Sequence, residues 1–337
     1  MEKILTVSIA AYNVESTLVD ALIPFTKCKY KDLLEILIVD DGSRDSTADI
    51  ANQFVEKYPE VFQLIQKENG GWGSTLNKGI EKGSGKYFKQ LDGDDYFSWR
   101  NLDEFLLFLQ NTDADFVYSP FVTFEDKSGA ILREIGVYDN IPYREKIEIK
   151  EIRKFTPAMH TLTVRMDILK KNHITITEHC FYTDVEFVLK SCNYCNNVAF
   201  FDLPVYYYRL ARSGQSMSIG GVRKHYEDHL KMLNKMLKYE INEVKRKEII
   251  DMFHQRLRNA CEMQYIFFFA LQCTSEQKMQ LQKFDETLKE KYPYYYKLIS
   301  NRAVTILRKL NFRGYYLVGH LQTMRDKKKK INIFEGC

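Results

Sequence analysis

The sequence lacks the long hydrophobic runs that mark membrane proteins, and we expect no secretory leader. Its longest strongly apolar run, residues 265–271, is far shorter than the ~20 residues that a helix needs to span a bilayer. The first residues, Met1-Glu2-Lys3, do not resemble a secretory signal, and the sequence shows no internal repeat. We therefore expect a cytoplasmic globular protein rather than an integral membrane, secreted or solenoid protein.

Cysteine pairs at regular spacings are also missing. The seven cysteines are odd in number and scattered, which argues against a disulfide framework and is typical of a reducing compartment. Cys192 and Cys195 form a single CxxC, but no second pair stands at the spacing of a zinc site. We interpret both as ordinary cysteines on or near a helix.

No single sign of charge dominates the chain, whose formal net charge is +4. Residues 301–337 hold nine Lys or Arg and two acidic residues, so the first 300 residues are slightly acidic. This excludes a uniformly basic nucleic-acid binder and confines any affinity for polyanions to the tail. With 337 residues, 45% of them hydrophobic and 28% charged, the chain is expected to fold into about two domains.

The first 125 residues show alternating strand and helix patterns. Strand-like apolar runs are followed by apolar residues at helical spacing, such as Leu18, Leu22 and Phe25. The predicted strands are residues 5–11, 34–39, 62–65 and 87–91. This alternation predicts an α/β fold with a Rossmann-like, mostly parallel sheet flanked by helices.

Each predicted strand runs into a polar turn. The turns are Tyr12-Asn13, Asp40-Asp41-Gly42-Ser43, Asn69-Gly70-Gly71 and Asp92-Gly93-Asp94-Asp95. Ligands of open α/β sheets bind beyond the carboxyl ends of the strands. We therefore expect the four turns to converge at one edge of the sheet and to form the binding site.

The rest of the chain is less regular until it becomes helical. Residues 115–124 and 198–209 each read as one strand. From residue 223 to Pro293, few Gly or Pro residues interrupt the helical spacing. We expect a domain of residues 1–222, followed by a helical C-terminal region of residues 223–337 with a basic tail.

The strongest chemical signal is the turn Asp92-Gly93-Asp94-Asp95. Carboxylates crowded into one turn repel each other unless a divalent cation or a set of hydrogen-bond donors neutralises them. Mg²⁺ or Mn²⁺ held by such groups commonly shares its other positions with substrate phosphates, which predicts a diphosphate ligand. The alternative is an exposed acidic turn that caps the following helix.

The turn Asp40-Asp41-Gly42-Ser43 is the second signal. As an ordinary β-to-α turn it would need only Gly42 and a helix cap at Asp45 or Ser46. That interpretation leaves the paired carboxylates Asp40 and Asp41 unexplained. Either of them can accept a hydrogen bond from a nucleobase N–H.

Taken together, these turns resemble the family 2 glycosyltransferases, which have the GT-A fold. The matching motifs are Ser8-Ile9-Ala10-Ala11-Tyr12-Asn13, Ile38-Val39-Asp40-Asp41-Gly42-Ser43-Arg44-Asp45-Ser46-Thr47, Asn69-Gly70-Gly71 with Asn77 and Gly79, and Leu91-Asp92-Gly93-Asp94-Asp95. Their order and spacing agree with the family over about 110 residues. Leu76 departs from the pattern, because an Arg frequently precedes Asn77 in the family.

The resemblance implies a nucleotide-sugar donor, commonly linked to UDP, and an Mn²⁺ or Mg²⁺ cofactor. Tyr12 would pack on the base, Asp40 or Asp41 would pair with it, and Asp92 would reach the ribose. Asp94 would hold the cation, with Asp95 as the alternative and Asp92 beside them. The donor-binding residues implied are Ala11, Tyr12, Asn13, Asp40, Asp41, Gly71, Asn77, Asp92, Gly93 and Arg212.

The resemblance also implies a catalytic base about 90 residues after the metal turn. Asp184 fits that position, although Thr183 replaces the first acid of the usual motif. Glu186 is the rival and Glu178 a more distant one. Asp184 is also well suited to be a helix cap before Val185.

Three further expectations concern the regions after residue 125. Residues 1–125 would bind the donor and residues 126–222 the acceptor, while Tyr208-Arg209 and the residues from Arg212 to Ser218 resemble a loop that closes over the donor. His160 is either an acceptor contact or a structural histidine. The reaction implied is inverting transfer to a saccharide or lipid-linked acceptor, as in bacterial capsule or cell-surface polysaccharide synthesis.

The basic tail is expected to include an amphipathic helix at residues 302–313. Its apolar face would hold Ala303, Ile306, Leu307 and Leu310, and its basic face Arg302, Arg308, Lys309 and Arg313. With the run from Lys327 to Lys330, residues 301–330 would either contact the inner face of an anionic membrane or pack on the protein body.

Two other functions compete with this interpretation. Asp92-Gly93-Asp94 superficially matches the paired aspartates of haloacid-dehalogenase-like phosphatases, but Tyr96 stands where those enzymes need Thr or a similar residue. A non-catalytic nucleotide-sugar or carbohydrate-binding protein on the same fold is the better alternative, because the first acid of the base motif is missing.

Overall fold

The computed structural model describes residues 2–152, 155–210, 219–271 and 273–319. These residues form two compact units, divided between residues 210 and 211. The first unit is a mixed α/β domain and the second is helical. The α/β fold with a mostly parallel sheet and the helical C-terminal extension are both confirmed.

The first unit contains twelve strands and six α-helices among the described residues. The strands are β1 (Leu5–Ala11), β2 (Leu34–Asp40), β3 (Phe62–Gln66), β4 (Tyr87–Asp92), β5 (Tyr96–Phe97), β6 (Phe116–Tyr118), β7 (Phe121–Glu125), β8 (Ile131–Ile135), β9 (Lys146–Glu148), β10 (Leu162–Arg165), β11 (Asn197–Phe200) and β12 (Tyr206–Leu210). The helices are α1 (Leu18–Lys27), α2 (Thr47–Lys57), α3 (Trp72–Lys82), α4 (Trp99–Asn111), α5 (Met166–Lys171) and α6 (Asp184–Cys192).

The strands form two sheets. The larger one has eight strands in the order β3-β2-β1-β4-β10-β6-β11-β9, and the smaller has the order β5-β12-β7-β8. β1, β2, β3 and β4 are mutually parallel, whereas β10 runs antiparallel to its neighbours β4 and β6. Leu5, Val7 and Ile9 on one face of β1 and Thr6 and Ser8 on the other are all fully buried, so both faces of this strand are covered.

Two sequence-based strand predictions were wrong in the same way. Residues 115–124 form two strands, β6 and β7, and residues 198–209 fall into β11 and β12. In each case the two strands belong to different sheets. Pro120 lies between β6 and β7, and Pro204 lies between β11 and β12. Because proline has no N–H to donate, it interrupts the hydrogen bonding of a strand.

The second unit consists of helices α7 (Ile219–Glu243), α8 (Lys247–Ala270), α9 (Ser275–Lys291), α10 (Pro293–Leu298) and α11 (Arg302–Lys309). Helix α7 begins before the expected boundary at residue 222. A capping box at Thr274 and Gln277 starts α9, and the Asn301 side chain accepts hydrogen bonds at the start of α11. No helix among the described residues is long and apolar enough to cross a membrane.

Candidate active site

The parallel register brings the first, second and fourth polar turns to one edge of the larger sheet. Ala11 on β1 pairs with Asp40 on β2, and Ala10 pairs with Asp92 on β4. The turns that follow these residues therefore start at the same level. Asp41 and Gly93 are anchored further by hydrogen bonds from their N–H groups to the carbonyl groups of β1.

Asn13 joins the first turn to the second. Its N–H donates to Ser43 Oγ at 3.0 Å, and its Oδ1 accepts from the Arg44 N–H at 2.8 Å. Asn13 has a φ of 52°, a left-handed conformation that asparagine tolerates better than most residues. The adjacent Tyr12 side chain is 48% exposed, so its ring is accessible at the rim of the site.

Asp41 organises the third turn, Asn69-Gly70-Gly71. Its Oδ1 accepts from Lys67 Nζ at 2.6 Å and from the Gly70 N–H at 2.9 Å, and its Oδ2 accepts from the Gly71 N–H at 2.8 Å. Asp40 is buried as well, and its Oδ1 accepts from the Ser43 N–H at 3.0 Å. Asp41 is therefore already engaged within the protein.

Gly71 and Gly73 allow the third turn to pack closely against the segment before α6. Gly71 has a φ of 80°, and a Cβ atom on Gly73 would lie 2.2 Å from the Thr177 carbonyl oxygen. Asn77 Oδ1 accepts from the Ile176 N–H, and its Nδ2 donates to the Ile176 carbonyl and to Glu178 Oε1. The Asn77 amide, expected at the donor, is thus occupied in holding residues 176–178.

Asp92, Asp94 and Asp95 form the acidic cluster of the site. One carboxylate oxygen from each lies within 4.8 Å of the others. Asp92 Oδ1 accepts from Trp72 Nε1 at 2.7 Å. Burial, followed by the negative charges of Asp94 and Asp184, raises the pKa of Asp92 to about 7. Oxygen ligands at this spacing suit Mg²⁺ or Mn²⁺, so these residues fit the implied metal.

Within this cluster, Asp95 is bound to strand β12. Its two oxygens accept from Tyr206 Oη at 2.6 Å and from the Arg209 N–H at 2.7 Å. Burial and the neighbouring charges of Asp94 and Asp92 raise the pKa of Asp95 well above its usual range. Asp95 therefore connects the acidic turn to the smaller sheet.

The same strand holds the acidic turn at two further points. Tyr206 Oη accepts from the Asp92 N–H at 3.2 Å, and Arg209 Nε donates to the Asp94 carbonyl at 2.6 Å. The Arg209 guanidinium also pairs with Asp20 and Asp126. These contacts hold the backbone of the acidic turn against β12.

Asp184 is the first residue of α6, and the N-cap position that precedes the helix is held by Thr183. Its charge contributes to the raised pKa values of Asp92 and Tyr208, which places its carboxylate in the electrostatic surroundings of the acidic cluster. The preceding Tyr182 has a φ of 64°, an unusual conformation for a bulky residue. The two rivals for the base differ from Asp184 in their surroundings.

Glu186 is fully buried and pairs with Lys190 Nζ at 2.6 Å. Its other oxygen accepts from the Thr177 N–H at 3.2 Å. Glu178 is exposed and accepts from Asn77 at 3.0 Å. Neither of these glutamates appears among the charges that raise the pKa of Asp92.

Sequence reasoning missed the supporting roles of Trp72 and Tyr206, and it missed Lys89. Arg209, expected in a loop that closes over the donor, lies instead on β12 and holds the acidic turn. Lys89 is fully buried, donates to the carbonyl groups of His160 and Leu162, and has its pKa lowered by burial to about 7. A lysine inside a buried parallel strand was an available signal. The position of Trp72 directly after Gly70-Gly71 was another.

His160 lies in an aromatic cluster behind the site. Its ring centroid is 4.8 Å from Phe121, 4.8 Å from Tyr206 and 4.5 Å from Tyr208. This packing agrees with the structural alternative for His160. Arg212 and the loop expected to close over the donor, residues 212–218, lie outside the described residues.

Comparison with known proteins gives consistent matches. The family model for glycosyl transferase family 2 matches residues 6–173. The uncharacterized glycosyltransferase MG060 of Mycoplasma genitalium is 25% identical over 274 residues, which cover 78% of this chain and 88% of the relative. The putative glycosyltransferase EpsH of Bacillus subtilis is 26% identical over 207 residues, covering 60% of this chain and 59% of the relative.

Two solved structures share the fold. The crystal structure of S. aureus TarS residues 1–349 in complex with UDP-GlcNAc has a TM-score of 0.67 at 19% identity, covering 95% of this chain and 92% of the other. The mannosyltransferase PcManGT from Pyrobaculum calidifontis, in complex with GDP-Man and Mn²⁺, has a TM-score of 0.53 at 12% identity. The match covers 97% of this chain and 88% of the mannosyltransferase.

Proposed function

Because this chain belongs to the family 2 glycosyltransferases, we propose that it transfers a sugar, with inversion, from a nucleotide-sugar donor to a hydroxyl group of a saccharide or lipid-linked saccharide. The observation that carries the proposal is the acidic cluster at the ends of the parallel strands, in which one carboxylate oxygen each of Asp92, Asp94 and Asp95 lies within 4.8 Å of the others. The charge of Asp184 contributes to the raised pKa of Asp92, so Asp184 supplies a further carboxylate in these surroundings. This is the arrangement that a base and a diphosphate site require.

The donor is proposed to be a UDP-sugar. TarS, which shares the fold, was crystallised with UDP-GlcNAc. The exposed Tyr12 ring would pack against the base. Asp40 is the better partner for the base N–H, because Asp41 is engaged by Lys67, Gly70 and Gly71. Ala11, Asn13 and Gly93 would shape the walls of the donor site.

Asp94 and Asp92 are proposed to hold Mn²⁺ or Mg²⁺, while Asp95 positions them through β12. The bound cation would neutralise charge on the departing nucleoside diphosphate. Tyr206 and Arg209 fix the turn, which limits the reorganisation needed when the donor binds. Asn77 and Gly71 would act indirectly, by seating the segment that leads to Asp184.

Asp184 is proposed to be the catalytic base. Its carboxylate would accept the proton of the acceptor hydroxyl as that oxygen forms a bond to the anomeric carbon. The bond from the anomeric carbon to the diphosphate oxygen breaks in the same step, which inverts the configuration. General-base catalysis is typically worth about 10² to 10⁴ in rate.

The proposal extends to the acceptor and to the cellular setting. Residues 1–125 would bind the donor and residues 126–222 the acceptor, with residues 223–337 as a separate helical region. We propose a role in bacterial capsule or cell-surface polysaccharide synthesis, at the cytoplasmic face of the membrane. The bacterial glycosyltransferases among the relatives support a bacterial setting.

The test is a kinetic and binding comparison of three variants. UDP-sugars would be screened with Mn²⁺ for binding, slow donor hydrolysis and transfer. Asp184→Asn is expected to lower turnover by about 10² to 10⁴ and to leave donor affinity unchanged. Asp94→Ala is expected to abolish the Mn²⁺-dependent part of donor binding, since it removes a proposed ligand.

Glu178→Gln is the matched control, because it removes a nearby exposed carboxylate. Its turnover should stay within a few-fold of the original chain, at about the level of a surface substitution. Equal losses of donor affinity in Asp184→Asn and Asp94→Ala would contradict the separate roles. Donor binding without hydrolysis or transfer for any sugar would contradict the catalytic proposal.

A further inference from the structure

The second unit contains, towards its C-terminal end, a segment that has many cations and no acid. Residues 291–325 contain seven Lys or Arg residues and neither Asp nor Glu. The described part of this segment includes α10, α11 and a short helical turn at residues 315–319. A positive segment of this length is unusual here, because the chain as a whole is nearly balanced.

Helix α11 is fixed in one rotation about its own axis. Asn301 Oδ1 accepts from the Ala303 N–H at 3.0 Å at its start. At its end, Asn311 has a φ of 47° and the Phe312 N–H donates to the Leu307 carbonyl at 2.7 Å, as in a Schellman motif. Val304 and Leu307 are fully buried, so this face of α11 is committed to the core of the unit.

Arg308 also belongs to the inner face, which corrects the sequence-based assignment of it to an exposed basic face. Its Nε donates to Asp285 at 2.8 Å, and its guanidinium stacks on the Tyr296 ring at 3.6 Å. The helix also stops at Lys309 instead of continuing to Arg313. Burying one arginine against an acid leaves the other cations on the outer face.

The outer face combines exposed apolar and basic side chains. We call this set the α11 stripe and define it as Arg302, Ile306 and Lys309 on the helix, Leu310 at its C-terminal cap and Arg313 in the turn that follows, all of which are exposed. Ile306 and Leu310 are 52% and 50% exposed. Leu317, in the helical turn that follows, is 66% exposed. Exposed apolar side chains rimmed by polar residues are typical of interaction sites.

We propose that the α11 stripe docks on an anionic lipid bilayer. Ile306 and Leu310 would enter the boundary between headgroups and acyl chains, while Arg302, Lys309 and Arg313 would contact lipid phosphates. A nucleic acid would match the cations and leave the apolar side chains without a partner. A second copy joined through the same stripe would set cations against cations, because residues 291–325 supply no acid.

This inference deepens the proposed location at the membrane and rests on that part of the proposed function. It is independent of the catalytic residues, since every member of the stripe lies in the second unit. The polybasic run from Lys327 to Lys330 lies outside the described residues. The stripe can therefore be tested by substitutions confined to the described residues.

The experiment is flotation of the full chain with vesicles of phosphatidylcholine, with and without phosphatidylglycerol. The charge variant is Lys309→Gln with Arg313→Gln, and the apolar variant is Ile306→Ser with Leu310→Ser. Each basic residue at an anionic surface contributes about fivefold in partitioning, so the charge variant should bind about 25-fold more weakly. The apolar variant should lose at least about tenfold, because insertion of two large side chains is removed.

The matched control carries Ile241→Ser, Lys245→Gln and Lys247→Gln, which alter equally exposed residues elsewhere in the second unit. The control should float like the original chain, and thermal unfolding should show that all variants fold. Binding of the original chain should weaken with added salt, because charge attraction is screened. UDP-sugar affinity in vesicle-free buffer should be the same in all variants, which separates this test from that of catalysis.

Three results would overturn the proposal. The first is equal flotation with and without phosphatidylglycerol. The second is unchanged flotation of both stripe variants. The third is a dimer in sedimentation experiments that the apolar variant converts to monomer, since this would show that a second copy covers the stripe.

Discussion

Two acidic turns stand at the same edge of the sheet, and they differ in how their charges are balanced. In the turn after β2, Asp41 is paired with Lys67 and accepts from two backbone N–H groups of the third turn. A cation and fixed donors thus satisfy this carboxylate from within the protein. The charge of Asp41 is therefore balanced without a bound ligand.

The turn after β4 has a different balance. The hydrogen bonds to Asp92 and Asp95 come from neutral groups, namely the Trp72 indole, the Tyr206 hydroxyl and the Arg209 backbone. Burial and mutual repulsion raise the pKa values of both carboxyls. The comparison indicates that Asp41 in the turn after β2 serves the architecture, whereas the turn after β4 gathers carboxyl groups whose ionisation is unfavourable until a cation binds.

The largest expected effect is on the turn after β2. Asp41→Asn removes the charge partner of Lys67 and replaces an acceptor for one backbone N–H by a donor. We expect the free energy of unfolding to fall by about 2 to 4 kcal/mol, as for breaking a mostly buried pair. Chemical denaturation would measure it, and the loss should be the same with and without Mn²⁺. Asp49→Asn, on the exposed surface of α2, is the control and should change stability by less than about 0.5 kcal/mol.

Tyr206→Phe tests the turn after β4 by removing a contact that holds this turn to β12. The substitution removes the hydroxyl that donates to Asp95 and accepts from the Asp92 N–H. We expect a stability loss of about 1 to 2 kcal/mol, since buried groups lose their partners. Mn²⁺ affinity, measured by calorimetry, should also fall, whereas Tyr207→Phe on the same strand should leave it unchanged. A stability loss with unaltered Mn²⁺ affinity would show that β12 does not position the metal ligands.

The raised pKa of Asp92 predicts that the stability of the metal-free protein depends on pH. The folded protein retains the Asp92 proton up to about pH 7, whereas the unfolded chain releases it near about pH 4. Metal-free stability from this group is therefore greatest at low pH and is lost as the pH rises through about 7.

Mn²⁺ competes with this proton, so its affinity should increase about tenfold per pH unit below about pH 7. Calorimetric titrations across this range would measure the slope. Asp92→Asn should also remove the part of the pH dependence of metal-free stability that falls near pH 7. An unchanged slope in this variant would assign the titration to another group.

The smallest expected effect is the most discriminating one. Asp94→Asn removes one charge from a repelling cluster, so metal-free stability should stay constant or rise by up to about 1 kcal/mol. Stabilisation by Mn²⁺, seen as a shift in melting temperature, should disappear in the same variant. A loss of stability comparable to that of Asp41→Asn would mean that both turns are structural.

Much of the first half of the fold was predictable, because its signals are local. The pattern gave β1 at its observed bounds and β2, β3 and β4 to within a residue at their ends. Turns that directly follow such strands meet at one edge by geometry alone. For this reason the sequence alone predicts the acidic cluster.

The supporting contacts were not predictable in the same way. Tyr206 and Asp95 are separated by 111 positions in the chain and meet only because β12 pairs with β5 and β7. Asn77 was expected at the donor, yet its partners lie about 100 positions further along. Local patterns carry no information on such pairings, although Pro120 and Pro204 did mark where the strands would divide.

The most direct test of the central claim, that the turn after β4 binds a divalent cation, is electron paramagnetic resonance of Mn²⁺ titrated into the full chain with UDP. We predict one tightly bound Mn²⁺ per chain, retained in Asp184→Asn and lost in Asp94→Ala. Equal Mn²⁺ uptake by the original chain and by Asp94→Ala, or no uptake by either, would contradict the claim.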